Sequence, residues 1–201
     1  MPVIGITGGI ATGKSAFCRQ LRVVLPQAEF FDADIAAREL TEHDEEVRAL
    51  ISETFGTEIY SPEGHLNRAE LRTIVFADPG KKHALEQILH PRIRRQWTFQ
   101  AESRRKSAEL FLADIPLLYE TGGETLCDRV VVVACSQHVQ LERLMARSSL
   151  TQMAAEQIIA SQLPLAEKMA RADHVIWNNG TRVALAGQAE LFAAGLAQTQ
   201  P

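Results

Sequence analysis

Residues 5–18 read GITGGIATGKSAFC, in which Gly8, Gly13, Lys14 and Ser15 are spaced as GxxxxGK[ST]. Glycine at 8 and 13 permits backbone conformations that a side chain would obstruct. A loop of this kind turns several N–H groups toward one anion, and a helix starting near Ser15 adds the positive end of its dipole. Lys14 supplies a mobile positive charge for β- and γ-phosphates, and Ser15 offers a hydroxyl to Mg²⁺. The loop, including Gly9 and Thr12, is therefore a candidate nucleotide-phosphate site. Ala11 stands where a glycine would be unsurprising, and is expected to be tolerated with a negative φ.

Further candidates follow along the chain. Asp32 and Asp34 end a second apolar run, AEFFDAD, at residues 28–34. If that run is extended to its end, alternate residues share a side. One carboxylate could then take a proton from an attacking hydroxyl while the other holds a metal through water. Asp34 also precedes the helical run IAARELT and is suited to capping it. Asp114, in LFLADIP, resembles a metal-supporting acid at a strand end; the bland alternative is a solvent-facing carboxylate. Arg143 and Arg147 lie at i and i+4, on one helical face, where they could neutralise a moving phosphoryl group. Lys168 and Arg171 are weaker candidates of the same kind. Arg38 lies one helical turn after Asp34 and could pair with it or with a substrate phosphate. Asn178, in the turn Asn178-Asn179-Gly180, is placed for backbone contact with a nucleotide base, although NNG is equally a plain turn.

The elements that must position these residues are strands at 3–7, 28–34, 109–115, 129–135 and 174–179. Helices fall at 15–25, 138–147 and 182–197, with a polar helical stretch at 148–172 interrupted by Pro164 and suited to be a closing lid. The expected fold is α/β, a five-stranded parallel sheet flanked by helices. Residues 1–40 and 107–201 would form the nucleotide-binding core, with 41–106 an inserted helical substrate-binding region. That insertion is charged, punctuated by Gly56, Gly64, Pro79 and Pro91, and shows no strand pair.

The 201 residues suffice for one domain with a sizeable core, and 46% hydrophobic with 23% charged residues is ordinary for a globular protein. A net charge of −4 argues against a nucleic-acid-binding surface. Three scattered cysteines argue against a disulfide framework, and the start, MPVIGITGG, lacks the basic region of a signal peptide. No apolar run is long enough to span a membrane. A cytoplasmic protein with no membrane or nucleic-acid partner is expected, a monomer or small homo-oligomer.

A triphosphate site serves a switch, a motor or a transferase. No NKxD guanine-reading motif occurs, and no partner-binding extension supports a motor. A small-molecule kinase accounts for the acids, the insertion and the arginine-flanked lid, since water must be excluded from a transferred phosphoryl group.

The chain also resembles the dephospho-coenzyme A kinase family, from about residue 3 to 180. The resemblance rests on TGGIATGKS (7–15), DADIAAR (32–38), GHLNRAELRTIVFADP (64–79), LEQILHPRIR (85–94), IPLLYETG (115–122), DRVVVVACS (128–136), QLERLMAR (140–147) and ADHVIWNNG (172–180). In the family's loop, Ala11 replaces a customary glycine. The resemblance implies transfer of the ATP γ-phosphate to the ribose 3′-hydroxyl of dephospho-CoA, with ATP and Mg²⁺ required. It implies that Ala11 to Ala16 hold ATP, that Asp34 is the base with Asp32 beside it, and that Arg143 and Arg147 contact phosphate. Arg38 and His90 become acceptor-side candidates. The family does not always keep an acid at Asp114. The alternative class is a nucleoside monophosphate kinase or, beyond that, a non-kinase ATPase.

Overall fold

The computed structural model describes residues 2–107, 109–148 and 150–198. Its five strands are β1 (Val3–Gly8), β2 (Glu29–Asp32), β3 (Phe111–Asp114), β4 (Arg129–Ala134) and β5 (His174–Trp177), in the spatial order β2-β3-β1-β4-β5. The pairs β1·β3, β1·β4 and β4·β5 are parallel. Every residue of β1 and β3 is buried, as is β4 beyond Arg129, whereas β5 at the edge buries only Ile176. Unbroken apolar runs such as VIGIT and VVVVA thus become central strands covered on both faces.

The side-chain period of two sends Ile4, Ile6, Leu112, Val131, Val133 and Ile176 into one cluster. Against them pack Phe17, Cys18 and Leu21 of α1 (Lys14–Val24) and Leu185, Ala189 and Leu196 of α9 (Arg182–Gln198). Each large apolar side chain so buried contributes roughly 1.5–3 kcal/mol. The remaining helices of this unit are α6 (Gln137–Ser148), α7 (Gln152–Ala160) and α8 (Leu165–Ala170), the last two separated around Pro164.

The chain divides into two compact units, residues 1–31 with 101–201, and residues 32–100. The second contains α2 (Ala33–His43), α3 (Glu45–Phe55), α4 (Arg68–Ala77) and the start of α5 (Pro79–Ser107). An acceptor side chain opens each helix. Asp32 caps α2, Asp44 Oδ1 accepts from Val47 N at 2.9 Å, Asn67 Oδ1 from Glu70 N at 3.2 Å, and Asp78 Oδ1 from Gly80 N at 2.8 Å. Such caps are worth about 1 kcal/mol each. Leu40, Val47, Ile51, Ile59, Leu66, Leu71 and Ile88 form the unit's own core.

Two expectations need correction. The segment 28–34 is not extended throughout: the strand stops at Asp32 and α2 begins at Ala33, because Asp32 Oδ1 accepts from Asp34 N and Ile35 N at 3.0 and 3.1 Å. Asp32, not Asp34, is the cap, and the two carboxylates do not alternate along a strand. The insertion has no strand pair among the described residues, as expected, only the isolated antiparallel bridge Tyr60 to Leu66. Finally, Pro91 does not end a helix: α5 runs through it. Lacking an N–H, Pro91 leaves the Gln87 carbonyl without its helical donor.

Candidate active site

The loop between β1 and α1 owes its shape to where its carbonyls go. Gly9 O accepts from Thr12 N at 3.3 Å and Thr12 Oγ1 at 2.8 Å. Ile10 O accepts from Gln140 Nε2 at 2.8 Å. Thr12 O accepts from Asn178 Nδ2 at 2.8 Å and from an Arg143 Nη at 3.3 Å. Gly8 O accepts from Lys168 Nζ at 3.3 Å. Gly13 O begins the helical ladder, accepting from Ala16 N and Phe17 N at 2.9 and 3.1 Å.

With the carbonyls drawn into the protein, N–H groups are left over. Ile10 N donates to Gln162 Oε1 at 2.9 Å. The backbone N–H groups of Ala11, Gly13, Lys14 and Ser15 find no acceptor among the described residues. Unsatisfied donors at a helix N-terminus form an anion site, and nothing acidic stands in the first turn of α1 to fill it.

Two backbone positions make the curl possible. Gly13 has φ +95°, and a Cβ there would lie 2.1 Å from Asn178 Nδ2, inside the bond that holds Thr12 O. Ala11 has φ +60°, which corrects the expectation of a negative φ. A left-handed alanine costs about 1–2 kcal/mol. The bonds from Gln162 and Gln140 to the preceding Ile10, and those to Thr12 O, hold it there.

Lys14 leaves this loop as an ion pair with Asp114, the last residue of β3, both side chains being at most 10% exposed. Asp114 therefore does not face solvent; it holds the loop's cation in place. Burial, followed by the nearby Asp114 carboxylate, pushes the Cys18 thiol far above its ordinary range. Burial likewise raises Cys127, to about 12, and Cys135. No cysteine is a thiolate nucleophile at neutral pH.

The other basic candidates separate. Arg143 reaches the loop, whereas Arg147 lies exposed one turn further along α6. Lys168 is not available as a phosphate ligand: it is fully buried, with Nζ 2.7 Å from Glu120 Oε1 and 3.2 Å from Pro116 O. Arg171 is likewise engaged, paired with Glu124 and stacked 4.3 Å over the Tyr119 ring. Asn178 is a buried strut of the loop through its side chain.

The second unit carries the remaining candidates. Asp34 is exposed in the first turn of α2, with Arg38 exposed one turn on. His90 lies partly buried on α5, and burial holds its pKa below the ordinary histidine value, with Glu86 opposing the shift. Among the described residues no cluster of three or more His, Cys, Asp or Glu could hold a metal alone. No helix among the described residues is long and apolar enough to cross a membrane.

Gln140, Gln162 and Glu120 are not among the residues the sequence singles out. They lie 130, 152 and 48 positions from the loop or lysine they hold; Gln140 and Glu120 fall inside the segments QLERLMAR and IPLLYETG, whereas no quoted segment contains Gln162.

The chain is similar to known proteins over most of its length. The dephospho-CoA kinase family model matches residues 2–183. A dephospho-CoA kinase of Anaeromyxobacter dehalogenans is 47% identical over 199 residues, covering 98% of this chain and 92% of the relative. One of Enterococcus faecalis is 44% identical over 180 residues, covering 90% and 89%. The solved structure of dephospho-CoA kinase from Campylobacter jejuni superposes with a TM-score of 0.73 at 25% identity, over 98% of this chain and 97% of that one.

Proposed function

The chain belongs to the dephospho-CoA kinase family, and from that membership we propose how its residues transfer a phosphoryl group from ATP to the ribose 3′-hydroxyl of dephospho-CoA. The observation that carries the reading is the set of N–H groups at Ala11, Gly13, Lys14 and Ser15, left without acceptors while the loop's carbonyls are tied back. They bind the phosphates of ATP. Lys14 exchanges Asp114 for the β- and γ-phosphate oxygens. Arg143 and the exposed Arg147 neutralise charge on the transferring group. A lid over the donor comes from within residues 148–172.

Ser15 would hold Mg²⁺, with Asp32 or Asp114 acting through water; bound there, the ion supplies charge neutralisation across the β- and γ-phosphates. Asp34 accepts the proton of the 3′-hydroxyl. The hydroxyl oxygen bonds to the γ-phosphorus as the bond to the β–γ bridging oxygen breaks, leaving ADP and coenzyme A. Asp34 is given this role on the resemblance of DADIAAR (32–38) to the family's segment. Its side chain is exposed in the first turn of α2. Arg38 and His90 hold the acceptor in the 41–106 region and its flank.

The test is ATP consumption with dephospho-CoA, AMP and CMP as alternative acceptors. Consumption dependent on dephospho-CoA is expected; dependence on AMP or CMP alone would replace the reading with a nucleoside monophosphate kinase. Asp34→Asn should slow turnover by about 10²-fold or more, the usual range for a general base, with ATP binding retained. Near-normal turnover would remove Asp34 as the base.

A further inference from the structure

Lys168 is fully buried yet belongs to no ligand contact in the mechanism above. Its ammonium has three N–H donors and meets three acceptors: Glu120 Oε1 at 2.7 Å, Pro116 O at 3.2 Å and Gly8 O at 3.3 Å. Each acceptor is itself part of the loop's support. Gly8 is the last residue of β1 and the first of the phosphate loop. Pro116 lies two residues beyond Asp114, the partner of Lys14, and its carbonyl also accepts from Thr7 Oγ1 at 2.9 Å. Glu120 Oε1 also accepts from Leu163 N at 3.1 Å, beside the Gln162 that holds Ile10.

A methylene chain would fill the same space without a charge, so the ammonium must be explained by what it joins. It joins the carboxyl ends of β1 and β3, the two strands that deliver the phosphate loop and the partner of its lysine. It also satisfies Gly8 O, the first carbonyl of the loop, from within the protein. We propose that Lys168, held by Glu120, is a positioning residue for ATP: its charge fixes the loop in the phosphate-binding form without touching phosphate. As a consequence, the chain from Gln162 to Lys168 is a fixed strut. Closure over the nucleotide is confined to residues before 161, because movement beyond that point would break the bonds to Gly8, Ile10 and Pro116.

The proposal rests on the reading of the loop as the ATP site, so the test measures ATP affinity without acceptor, in the full chain, alongside steady-state constants and melting temperature. Lys168→Met removes the charge at similar length. It is expected to raise the Kd and KM for ATP about tenfold, as loss of charge-assisted hydrogen bonds does, with KM for dephospho-CoA changed less than about twofold. Glu120→Gln keeps the ammonium and weakens only its hold; ATP binding should weaken about threefold. This variant decides the matter should Lys168→Met fail to fold. A folded variant of either kind with wild-type ATP affinity, or with both KM values raised alike, overturns the proposal, whatever its melting temperature. Failure of the wild-type chain to bind ATP would instead overturn the reading of the loop.

Discussion

Ala11 offers a sharp test because its conformation is unfavourable for any residue with a Cβ. At φ +60° it stands in the left-handed region, which costs an L-residue about 1–2 kcal/mol. Replacement by glycine removes that cost but gives the unfolded chain more freedom, worth about 0.5–1 kcal/mol against folding. Ala11→Gly should therefore stabilise the ligand-free chain by about 0.5 kcal/mol, or roughly 1–2 °C in Tm for a chain of this size. Ala11→Val should do the opposite, since a β-branched residue at positive φ is a genuine outlier, and lose about 1–2 kcal/mol. Urea unfolding of the three proteins, followed by tryptophan fluorescence, gives the order Gly above Ala above Val. ATP affinity should stay within about twofold in the glycine variant, because the N–H directions are held by Gln140, Gln162 and Asn178. A loss of more than about 1 kcal/mol in Ala11→Gly, or a valine variant as stable as wild type, would refute the argument from backbone strain.

Other perturbations read the same site from different sides. Gly13→Ala combines φ +95° with a Cβ 2.1 Å from Asn178 Nδ2, so Asn178 must release Thr12 O; calorimetry should show ATP binding weakened by tenfold or more, about 1.4 kcal/mol, and unchanged binding would contradict the packing. Asp114→Asn leaves the Lys14 ammonium beside a neutral amide in a nearly buried position. Ligand-free stability should fall by about 3 kcal/mol, with part of the loss regained when ATP is added, and thermal melts with and without nucleotide check both halves. Burial lowers the His90 pKa below 6.5, so the folded chain binds fewer protons than the unfolded chain there. That contribution to stability is present above pH 6.5 and declines as pH falls toward the lowered value. His90→Gln should flatten the slope of Tm against pH in that range, and an unaltered slope would sink the idea.

Much of the donor site was legible in the sequence because its parts are local. A β-branched run, a glycine loop, Lys14 and Ser15 follow one another within fifteen residues, and each constrains the next. The central strands were equally plain, as unbroken apolar runs have few other places to go. What was not legible depends on residues far apart in the chain. Gln140, Gln162 and Asn178 reach Ile10 and Thr12 across 130 or more positions, and only the folded sheet brings them together. Lys168 read as a candidate for neutralising phosphate, whereas the fold buries it completely. The border at Asp32 to Asp34 was misread for a local reason: both aspartates suit a helix start, and the backbone N–H groups of Asp34 and Ile35 settle on the first.

The central claim is that this loop is a phosphoryl donor site serving a ribose hydroxyl. ATP labelled in its γ-phosphate, incubated with the purified chain, Mg²⁺ and dephospho-CoA, tests it most directly when the label is traced by phosphorus NMR. The label should appear as a 3′-phosphomonoester of coenzyme A in amounts equal to the ADP formed. Label recovered as inorganic phosphate, at a rate indifferent to dephospho-CoA, would contradict it.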